Sequence, residues 1–299
     1  MKRVAAVLLL IMVGSFISAY SPPPVQTFSL PGVPVDLFFR SLQPGEIILA
    51  KLKDEPSVQR VTLRWFDQIR ILEFPKNDMA GTPFALLGVD LNTKPKSYPL
   101  EITIEHPDRS AQASPQSLVV EPKKFPSTNL RVATAMTSPP PRELELIRRE
   151  SELVSEVLSL VSPEWLAEGT FLSPLPGLEP YPNFGQRRVY NKSNTSIHSG
   201  VDIAAPWGTP TLASNGGRVV LAGRLYFSGY TVIIDHGQGV FTYYCHFSKL
   251  LVKRGNLVKR GQAIANIGST GRSTGPHLHW SAMILKARVD PFALLSLPL

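Results

Sequence analysis

Five of the six histidines in this 299-residue chain fall between residues 198 and 279. They include three short clusters, His198-Ser-Gly-Val-Asp202, Tyr243-Tyr-Cys-His246 and His277-Leu-His279. Separated groups of imidazole and carboxylate are typical of a metal site that distant segments form together. The chain must therefore adopt a fold that brings these three segments into contact.

The last cluster, His277-Leu-His279, has the alternation of a strand with one packed face. Residues two apart on a strand lie on the same side, about 6–7 Å from each other. A core would favour apolar groups at both positions, so the paired imidazoles indicate chemistry. One can bind a metal ion while the other transfers protons beside it. The spacing alone leaves open which does which.

The same parity applies to the middle cluster. Tyr244 and His246 are predicted to share one face of a strand, while Cys245 is predicted to point the other way, into packing. A thiol nucleophile and its base must lie within hydrogen-bond reach. A thiol peptidase built on Cys245 and His246 is therefore not expected.

The first cluster places His198 four residues before Asp202. Gly200 and the β-branched Val201 favour a loop leading into a strand over a helix. Two histidines and one carboxylate, with a fourth position open, are the usual ligands of a catalytic zinc ion, so the clusters together predict one Zn²⁺ site. The alternative is a surface pair in which His198 and Asp202 share a hydrogen bond and no metal.

Glycine-rich turns between β-branched runs predict that residues 171–299 form an all-β domain. One hairpin is predicted around Asn215-Gly216. A second is predicted around Asp235-His236-Gly237, which makes His236 a turn residue and not a catalytic one.

Residues 21–125 are predicted to form a separate, small β-sandwich-like domain, because short apolar or alternating runs follow one another at close spacing. Residues 126–170 are predicted to be a linker that contains an amphipathic helix at about 142–160. The helix is either a connector packed on one domain or a binding site for a partner. The predicted fold class is therefore mainly β.

Residues 1–20 have the features of an export signal, with Lys2 and Arg3, an apolar run, and small residues ending at Ala19. We expect cleavage there, with an uncleaved anchor as the alternative, and a location in the periplasm, the cell envelope or the extracellular space. The single cysteine excludes an internal disulfide framework. A net charge of +8 favours anionic wall polymers or lipid headgroups as partners. Nucleic acid is not expected, because the basic residues are scattered.

Residues 184–292 resemble the M23 peptidases, the lysostaphin- and LytM-type zinc endopeptidases of bacterial peptidoglycan. The resemblance rests on three motifs in order. The family's His-x-x-x-Asp motif matches His198 to Asp202, and its His-x-His motif matches His277 to His279. Its Tyr-x-His-Leu segment matches Tyr244 to Phe247, with phenylalanine in place of leucine.

The resemblance implies a LytM-like antiparallel β catalytic domain that hydrolyses peptide cross-links of peptidoglycan. It implies that one zinc ion is held by His198, Asp202 and His279, and that His246 and His277 are the catalytic pair. We expect a monomer, with an envelope regulator acting through the N-terminal domain or the linker helix. A non-catalytic LytM-type activator or a wall-binding protein is the alternative.

Three further residues are candidates for binding substrate. Arg188 and Tyr190, just upstream of His198, either contact a carboxylate of the substrate or have a structural role. Tyr244 is the third candidate. Ser281 departs from the family pattern, in which many members carry glutamate. Because it is not a ligand position, the departure leaves the ligands intact but leaves open what supports them.

Overall fold

The computed structural model describes residues 24–73, 83–177, 183–192 and 194–299. Over these ranges the chain is mainly β with antiparallel sheets, which confirms the predicted fold class. The export signal predicted at residues 1–20 lies outside the described residues. No helix in the described ranges combines the length and apolar character that crossing a bilayer requires.

The N-terminal part is built from two sheets that share one apolar core. Its strands are β1 (Gln26–Ser29), β2 (Val35–Phe39), β3 (Ile47–Leu52), β4 (Arg60–Trp65), β5 (Gln68–Glu73), β6 (Phe84–Gly88), β7 (Lys96–Glu105), β8 (Ala111–Ala113) and β9 (Gln116–Val120). One sheet has the order β1-β2-β3-β6, and the other runs β5-β4-β7 with β8 and β9 both paired to β7. Leu37, Trp65 and Leu87 are fully buried between them. Alternating burial along β2 and β4 explains why the sequence predicts a sandwich here.

The linker contributes to the C-terminal sheet region as well as connecting to it. It contains β10 (Ser127–Leu130), a 3₁₀ turn (Thr134–Met136) and α1 (Pro141–Val157). The helix begins near its predicted start, with proline at its first position, and ends three residues before its predicted end. Val154 and Leu158 pack against the sheet, whereas Leu146 and Leu153 are exposed. Only part of the predicted apolar face is therefore buried.

The C-terminal part consists of twelve elements. They are β11 (Arg187–Tyr190), β12 (Asn194–Ile197), β13 (Val201–Ala204), β14 (Pro210–Leu212), β15 (Gly217–Leu225), β16 (Gly229–Gly237), β17 (Val240–Leu250), β18 (Leu257–Val258), β19 (Ala263–Ile267), β20 (His277–Ile284), β21 (Ala287–Val289) and α2 (Pro291–Ser296). A nine-stranded antiparallel sheet follows the path β13-β20-β17-β16-β15-β18. Beside it, β10 pairs in parallel with β11, which pairs with β12.

The hairpin predicted around Asn215-Gly216 is wrong. β14 pairs with β19, while β15 pairs with β16 and β18. The Asn215 side chain instead accepts hydrogen bonds from the backbone N–H groups of Glu168 and Gly216, at 2.9 and 2.8 Å. An asparagine that satisfies backbone donors in a connection has the same local signature as one in a hairpin turn.

The second predicted hairpin exists as β16 and β17, but its turn lies further along than predicted. Gln238 and Gly239, both with positive φ (54° and 77°), form the two-residue connection. His236 is therefore a strand residue, and it is fully buried. Its Nδ1 lies 2.6 Å from the backbone oxygen of Gly216, and its Nε2 lies 2.6 Å from the Thr242 hydroxyl. Both ring nitrogens are satisfied within the core.

The sandwich packs directly on the C-terminal sheet. Ile47 and Leu49 of β3 belong to the same buried cluster as Ile284 and Val289. Polar contacts add to this core: Arg288 donates two hydrogen bonds to Asp90, at 3.0 and 2.7 Å, and Arg40 bridges Glu46 and Asp290 at 2.8 and 3.1 Å. The interface supports β20, the strand that carries two of the motif histidines.

Candidate metal and catalytic site

Pairing between β13 and β20 places Asp202 directly opposite His279. Directly opposed residues of an antiparallel ladder project from the same face, so the two side chains meet. His279 Nδ1 lies 3.1 Å from Asp202 Oδ1. His198 precedes β13, where its backbone N–H donates to Gln186 and its carbonyl accepts from Gly185, at 2.9 and 2.8 Å. These two hydrogen bonds hold His198 beside the ladder.

Three potential ligand atoms converge at this point. His198 Nε2 lies 2.8 Å from His279 Nδ1 and 3.1 Å from Asp202 Oδ1. A tetrahedral zinc ion with bonds of about 2.0–2.1 Å separates its ligands by roughly 3.3 Å, so a small outward shift would admit the ion. The alternative of a surface pair does not fit, because His198 is only 5% exposed and His279 is a third member.

The second nitrogen of each imidazole fixes where its proton lies. His198 Nδ1 donates to the backbone oxygen of Asn183 at 2.9 Å, which leaves a lone pair on Nε2. His279 Nε2 lies 2.8 Å from Ser281 Oγ; donation there leaves a lone pair on Nδ1. Together with Asp202 Oδ1, three electron-rich atoms face one point, and this donor set suits a cation. Ser281 thus orients the His279 ring, at a position where the family resemblance left open which residue supports the ligands.

His246 reaches the site through a β-bulge. Cys245 and His246 lie opposite the single residue Thr231 of β16, and His246 has a left-handed φ of 68°. Its Nδ1 donates to the backbone oxygen of Thr270 at 2.8 Å. The ring centre lies 4.8 Å from that of His277. A backbone irregularity, and not strand alternation, therefore brings the two histidines together.

The prediction that Tyr244 shares this face is wrong. Tyr244 lies opposite Trp280 and is fully buried in the core of the sheet. Its hydroxyl accepts a hydrogen bond from the backbone N–H of Ser214 at 3.0 Å. The bulge after Tyr244 reverses the alternation that parity assumes. Tyr244 is thus unavailable to a substrate, which corrects its candidacy as a substrate-binding residue.

Cys245 also lies on the face opposite to the predicted one. It pairs with His279 in the ladder and lines a cavity beside it. The side chain is only 2% exposed, and burial raises the pKa of the thiol well above its ordinary value, with the Asp202 charge acting in the same direction. The nucleophilic form of cysteine is the thiolate, and a raised pKa keeps the thiol protonated. A thiol mechanism at Cys245 is therefore still not expected.

His277 begins β20 at the open side of the three ligand atoms. Its Nδ1 donates to the backbone oxygen of Gly275 at 2.8 Å, and its Nε2 lies 3.7 Å from Asp202 Oδ1. Burial, followed by the charges of His277 and His279, lowers the pKa of His246 to about 3. His246 is therefore neutral at neutral pH. In both imidazoles Nδ1 is the donor to a backbone carbonyl, so Nε2 is the nitrogen left available to the site.

Arg188 and Asn183 form hydrogen bonds to Oδ2 of Asp202, the carboxylate oxygen that does not face the two histidines. The Arg188 guanidinium donates to Oδ2, and Asn183 Nδ2 donates to the same atom at 3.3 Å. Asn183 Oδ1 also accepts from the Asp202 backbone N–H at 3.0 Å. These contacts directly support a structural role for Arg188, which was the alternative to binding a substrate carboxylate. Sequence reasoning missed Asn183, whose only signal is its place just before Phe184-Gly185.

Two cavities flank the ligand atoms. One, of about 320 Å³, extends past His198 and His279 to α1, where Val154 and Leu158 line it. The other, of about 380 Å³, includes Asp202 and lies beside β10. Four residues line both: Arg188, Tyr190, His246 and Arg272. Of the described residues between 24 and 125, none lines either cavity.

A comparison with protein families places these residues in a known group. The family model for Peptidase family M23 matches residues 196–291. The peptidoglycan DD-endopeptidase ShyA of Vibrio cholerae is 44% identical over 103 residues, which are 34% of this chain and 24% of that protein. The DD-carboxypeptidase/endopeptidase Mpg of Neisseria meningitidis serogroup B is 46% identical over 111 residues, 37% of this chain and 26% of that protein.

The match thus spans only about a quarter of the length of these curated relatives. A solved structure is similar over more of the chain. It is the crystal structure of a candidate M23 peptidase from Pseudomonas aeruginosa, with a TM-score of 0.63 and 27% identity, covering 86% of this chain and 96% of that one. The likeness therefore includes the sandwich as well as the C-terminal sheet.

Proposed function

Residues 196–291 belong to peptidase family M23, and from this premise we propose that the chain is a zinc-dependent endopeptidase that hydrolyses peptide cross-links of bacterial peptidoglycan. The DD-endopeptidase and DD-carboxypeptidase activities named for the relatives support this substrate class. A non-catalytic LytM-type activator or wall-binding protein is the alternative. It is disfavoured because all five motif residues converge at one site.

One observation carries the proposal. His198 Nε2, Asp202 Oδ1 and His279 Nδ1 converge beside two further imidazoles, whose Nδ1 atoms bond to backbone carbonyls and leave Nε2 available. A site that only stores a metal has no need of the second pair of imidazoles. An open coordination position with bases next to it is the arrangement of a catalytic zinc site.

In this proposal His198, Asp202 and His279 hold one Zn²⁺ ion. Bound there, the ion would lower the pKa of a water molecule and polarise the scissile carbonyl group. Asp202 binds through Oδ1, because Arg188 and Asn183 occupy Oδ2. These two residues keep the carboxylate oriented when the substrate enters.

His246 and His277 move the protons. Each Nδ1–H is committed to a backbone carbonyl, so each Nε2 begins as an acceptor. One Nε2 takes the proton of the attacking water and then, as imidazolium, gives it to the amine that leaves. The other orients the water through its lone pair. The pose of the peptide decides which histidine has which role.

We further propose that the chain acts in the bacterial envelope after export, as a monomer, and that a regulator binds through the N-terminal domain or α1. The exposed Leu146 and Leu153 of α1 support the helix as the contact point. Because Val154 and Leu158 of the same helix line the cavity beside the site, a partner on α1 would act on substrate access.

Purified peptidoglycan tests the activity. We expect the full chain to release muropeptides cut at a peptide bond, identified by mass spectrometry, and to lose this activity with a chelator. His198→Ala and His279→Ala should lose zinc in atomic absorption measurements. His277→Ala is the matched variant, and it should retain zinc but lose at least about 100-fold in turnover.

Two outcomes would contradict the proposal. Chelator-independent digestion would remove the role of the metal. Zinc retained by His279→Ala at the wild-type level would refute the ligand assignment, even if digestion is observed.

A further inference from the structure

Three arginines line the first cavity, and two of them are already paired with acids. Arg188 bonds to Asp202, and Arg288 bonds to Asp90. The third, Arg272, differs. Among the described residues, no carboxylate or other acceptor bonds to its guanidinium group. An unneutralised cation therefore lies at the site, where it can meet an anionic group of the substrate.

Two aromatic rings lie next to the Arg272 guanidinium. Its central carbon lies over both, 4.6 Å from the ring centre of Tyr190 and 4.8 Å from that of Phe227. Its backbone N–H donates to the carbonyl of Phe227 at 2.7 Å. A guanidinium that stacks on aromatic rings keeps its edge N–H groups for hydrogen bonding, and such an edge matches a carboxylate in two-point hydrogen bonding.

The position of Arg272 places it in the lining of the candidate site. Arg272 lines both cavities, as His246 does, and so lies where the cavities meet. The same loop supplies the Thr270 carbonyl that fixes His246 and continues into His277. A group bound by Arg272 would therefore lie in the cavities that His246 and His277 line.

We propose that Arg272 binds a free carboxylate attached to the carbon that bears the scissile nitrogen, and that it thereby selects DD bonds. This inference rests on the proposed function. A terminal D-alanine carries such a carboxylate, and so does the D-centre of diaminopimelate in a direct cross-link. The side-chain amine of lysine carries none on that carbon, and an internal glycine of a bridge carries an amide there.

The bond chemistry explains why this residue would discriminate. The carboxylate is one carbon from the scissile nitrogen, so it lies within the junction of the cavities whenever the bond is placed for cleavage. A site built around a charge-assisted pair rejects analogues that lack the charge, because the arginine then stays desolvated and unpaired. Selection therefore comes from two effects: the ion pair that the carboxylate forms with Arg272, and the free-energy cost of leaving Arg272 unpaired when an uncharged analogue binds.

Matched peptides test the inference on the full, zinc-loaded chain. One pair ends in D-Ala-D-Ala as the free acid or as the carboxamide. A second pair is a cross-linked dimer whose diaminopimelate carboxylate is free or amidated, so the two pairs separate the two sources of the carboxylate. We expect kcat/KM for acid over amide to be about 10–100-fold in at least one pair.

Variants assign the preference to the residue. Arg272→Gln should reduce the acid-over-amide ratio to within about twofold, mainly through kcat/KM for the acid. Arg272→Lys should give an intermediate ratio, because it keeps the charge but loses the planar fork. Arg218→Gln, an exposed arginine of β15 that lines neither cavity, should keep the wild-type ratio. Zinc content and circular dichroism check that each variant is folded and loaded.

A binding measurement separates this inference from the proposed activity. Analogues with a CH2–NH unit in place of the scissile amide are titrated calorimetrically in acid and amide forms. We expect the acid to bind at least about tenfold more tightly to the wild type and equally to Arg272→Gln. Equal affinity for both forms in the wild type, or an unchanged preference in Arg272→Gln, would overturn the inference whether or not peptidoglycan is cleaved.

Discussion

At the scale of single residues, the site is organised by the ring nitrogens that do not face it. His198, His246 and His277 each donate Nδ1–H to a backbone carbonyl, at 2.8–2.9 Å. Backbone carbonyls accept and never donate, so these three bonds set the tautomer without ambiguity. His279 differs, because its partner is the Ser281 hydroxyl. The lone pairs at the site therefore depend on one side chain that the family resemblance marked as a departure.

Replacing Ser281 with alanine tests this dependence. Without the hydroxyl, the Nε2–H of His279 loses its partner and the orientation of the ring is less restricted. We expect Ser281→Ala to weaken zinc binding about 10-fold or more, measured by competition with a chromophoric chelator.

Ser151→Ala, at an exposed position on α1, is the control and should bind zinc as the wild type does. An unchanged zinc affinity in Ser281→Ala would mean that His279 is positioned by packing alone.

At the scale of the element, the decisive feature is the bulge in β17. Tyr244, before the bulge, faces the core. Cys245 and His246 both lie opposite Thr231, and His246 thereby turns out of the core and toward His277. Bulges redirect side chains in this way and are frequent next to functional sites. A strand without this extra residue would point His246 into the core. The proximity of His246 to His277 is thus a property of strand pairing and not of the local sequence pattern.

The variant Tyr244→Phe separates the core role of this residue from substrate binding. Loss of the hydroxyl leaves the buried N–H of Ser214 without its partner, so we expect the free energy of unfolding to fall by about 1–3 kcal/mol. Urea denaturation measures this, while KM for a muropeptide substrate should stay within twofold of the wild type.

Tyr230→Phe, with a side chain at the surface, should change neither quantity. A rise in KM for Tyr244→Phe without loss of stability would restore Tyr244 as a substrate-binding residue.

At the scale of the whole molecule, the sandwich and the C-terminal sheet share a buried interface. Ile47 and Leu49 pack with Ile284 and Val289, and Arg288 pairs with Asp90. The sandwich thereby supports β20 from behind, while the linker supplies β10 and α1 beside the cavities. The segment that packs behind β20 and the segments that lie beside the cavities are therefore different parts of the chain.

Stability of the whole chain should depend on pH through His236, which lies outside the catalytic site. Burial lowers the pKa of His236 to about 4, from an ordinary value of 6.5. Between these values the unfolded chain binds a proton that the folded chain does not. Stability is therefore complete above pH 6.5 and falls as pH decreases, by about 3 kcal/mol once pH reaches the folded-state pKa.

Urea unfolding of wild type and His236→Gln from pH 7.5 to 4.5 measures this contribution. Glutamine retains a donor for Gly216 and an acceptor for Thr242 but does not titrate. We expect the variant to have the shallower dependence on pH, since the other histidines contribute equally to both proteins. Parallel curves would show that His236 is not the group responsible.

The sequence was sufficient for the mainly β fold class and for the types of residue at the site. His277 and His279 share one side of β20, as their spacing predicts. This prediction depends on alternation along a single strand, which neighbouring residues specify. The predicted helix was also found, with its end displaced by only three residues, because its apolar periodicity is equally local.

Only the tertiary structure decided the remaining features. The bulge at His246, the pairing of β14 with β19, and the pairing of Arg188 with Asp202 all depend on partners distant in the chain. The same holds for Arg272: the two other arginines of the first cavity, Arg188 and Arg288, meet acids, whereas Arg272 meets aromatic rings. Chain composition determines which donors, acceptors and charges exist. Which of them remain unsatisfied at a cavity is determined by long-range packing, and those unsatisfied groups are the ones a substrate or a metal ion can use.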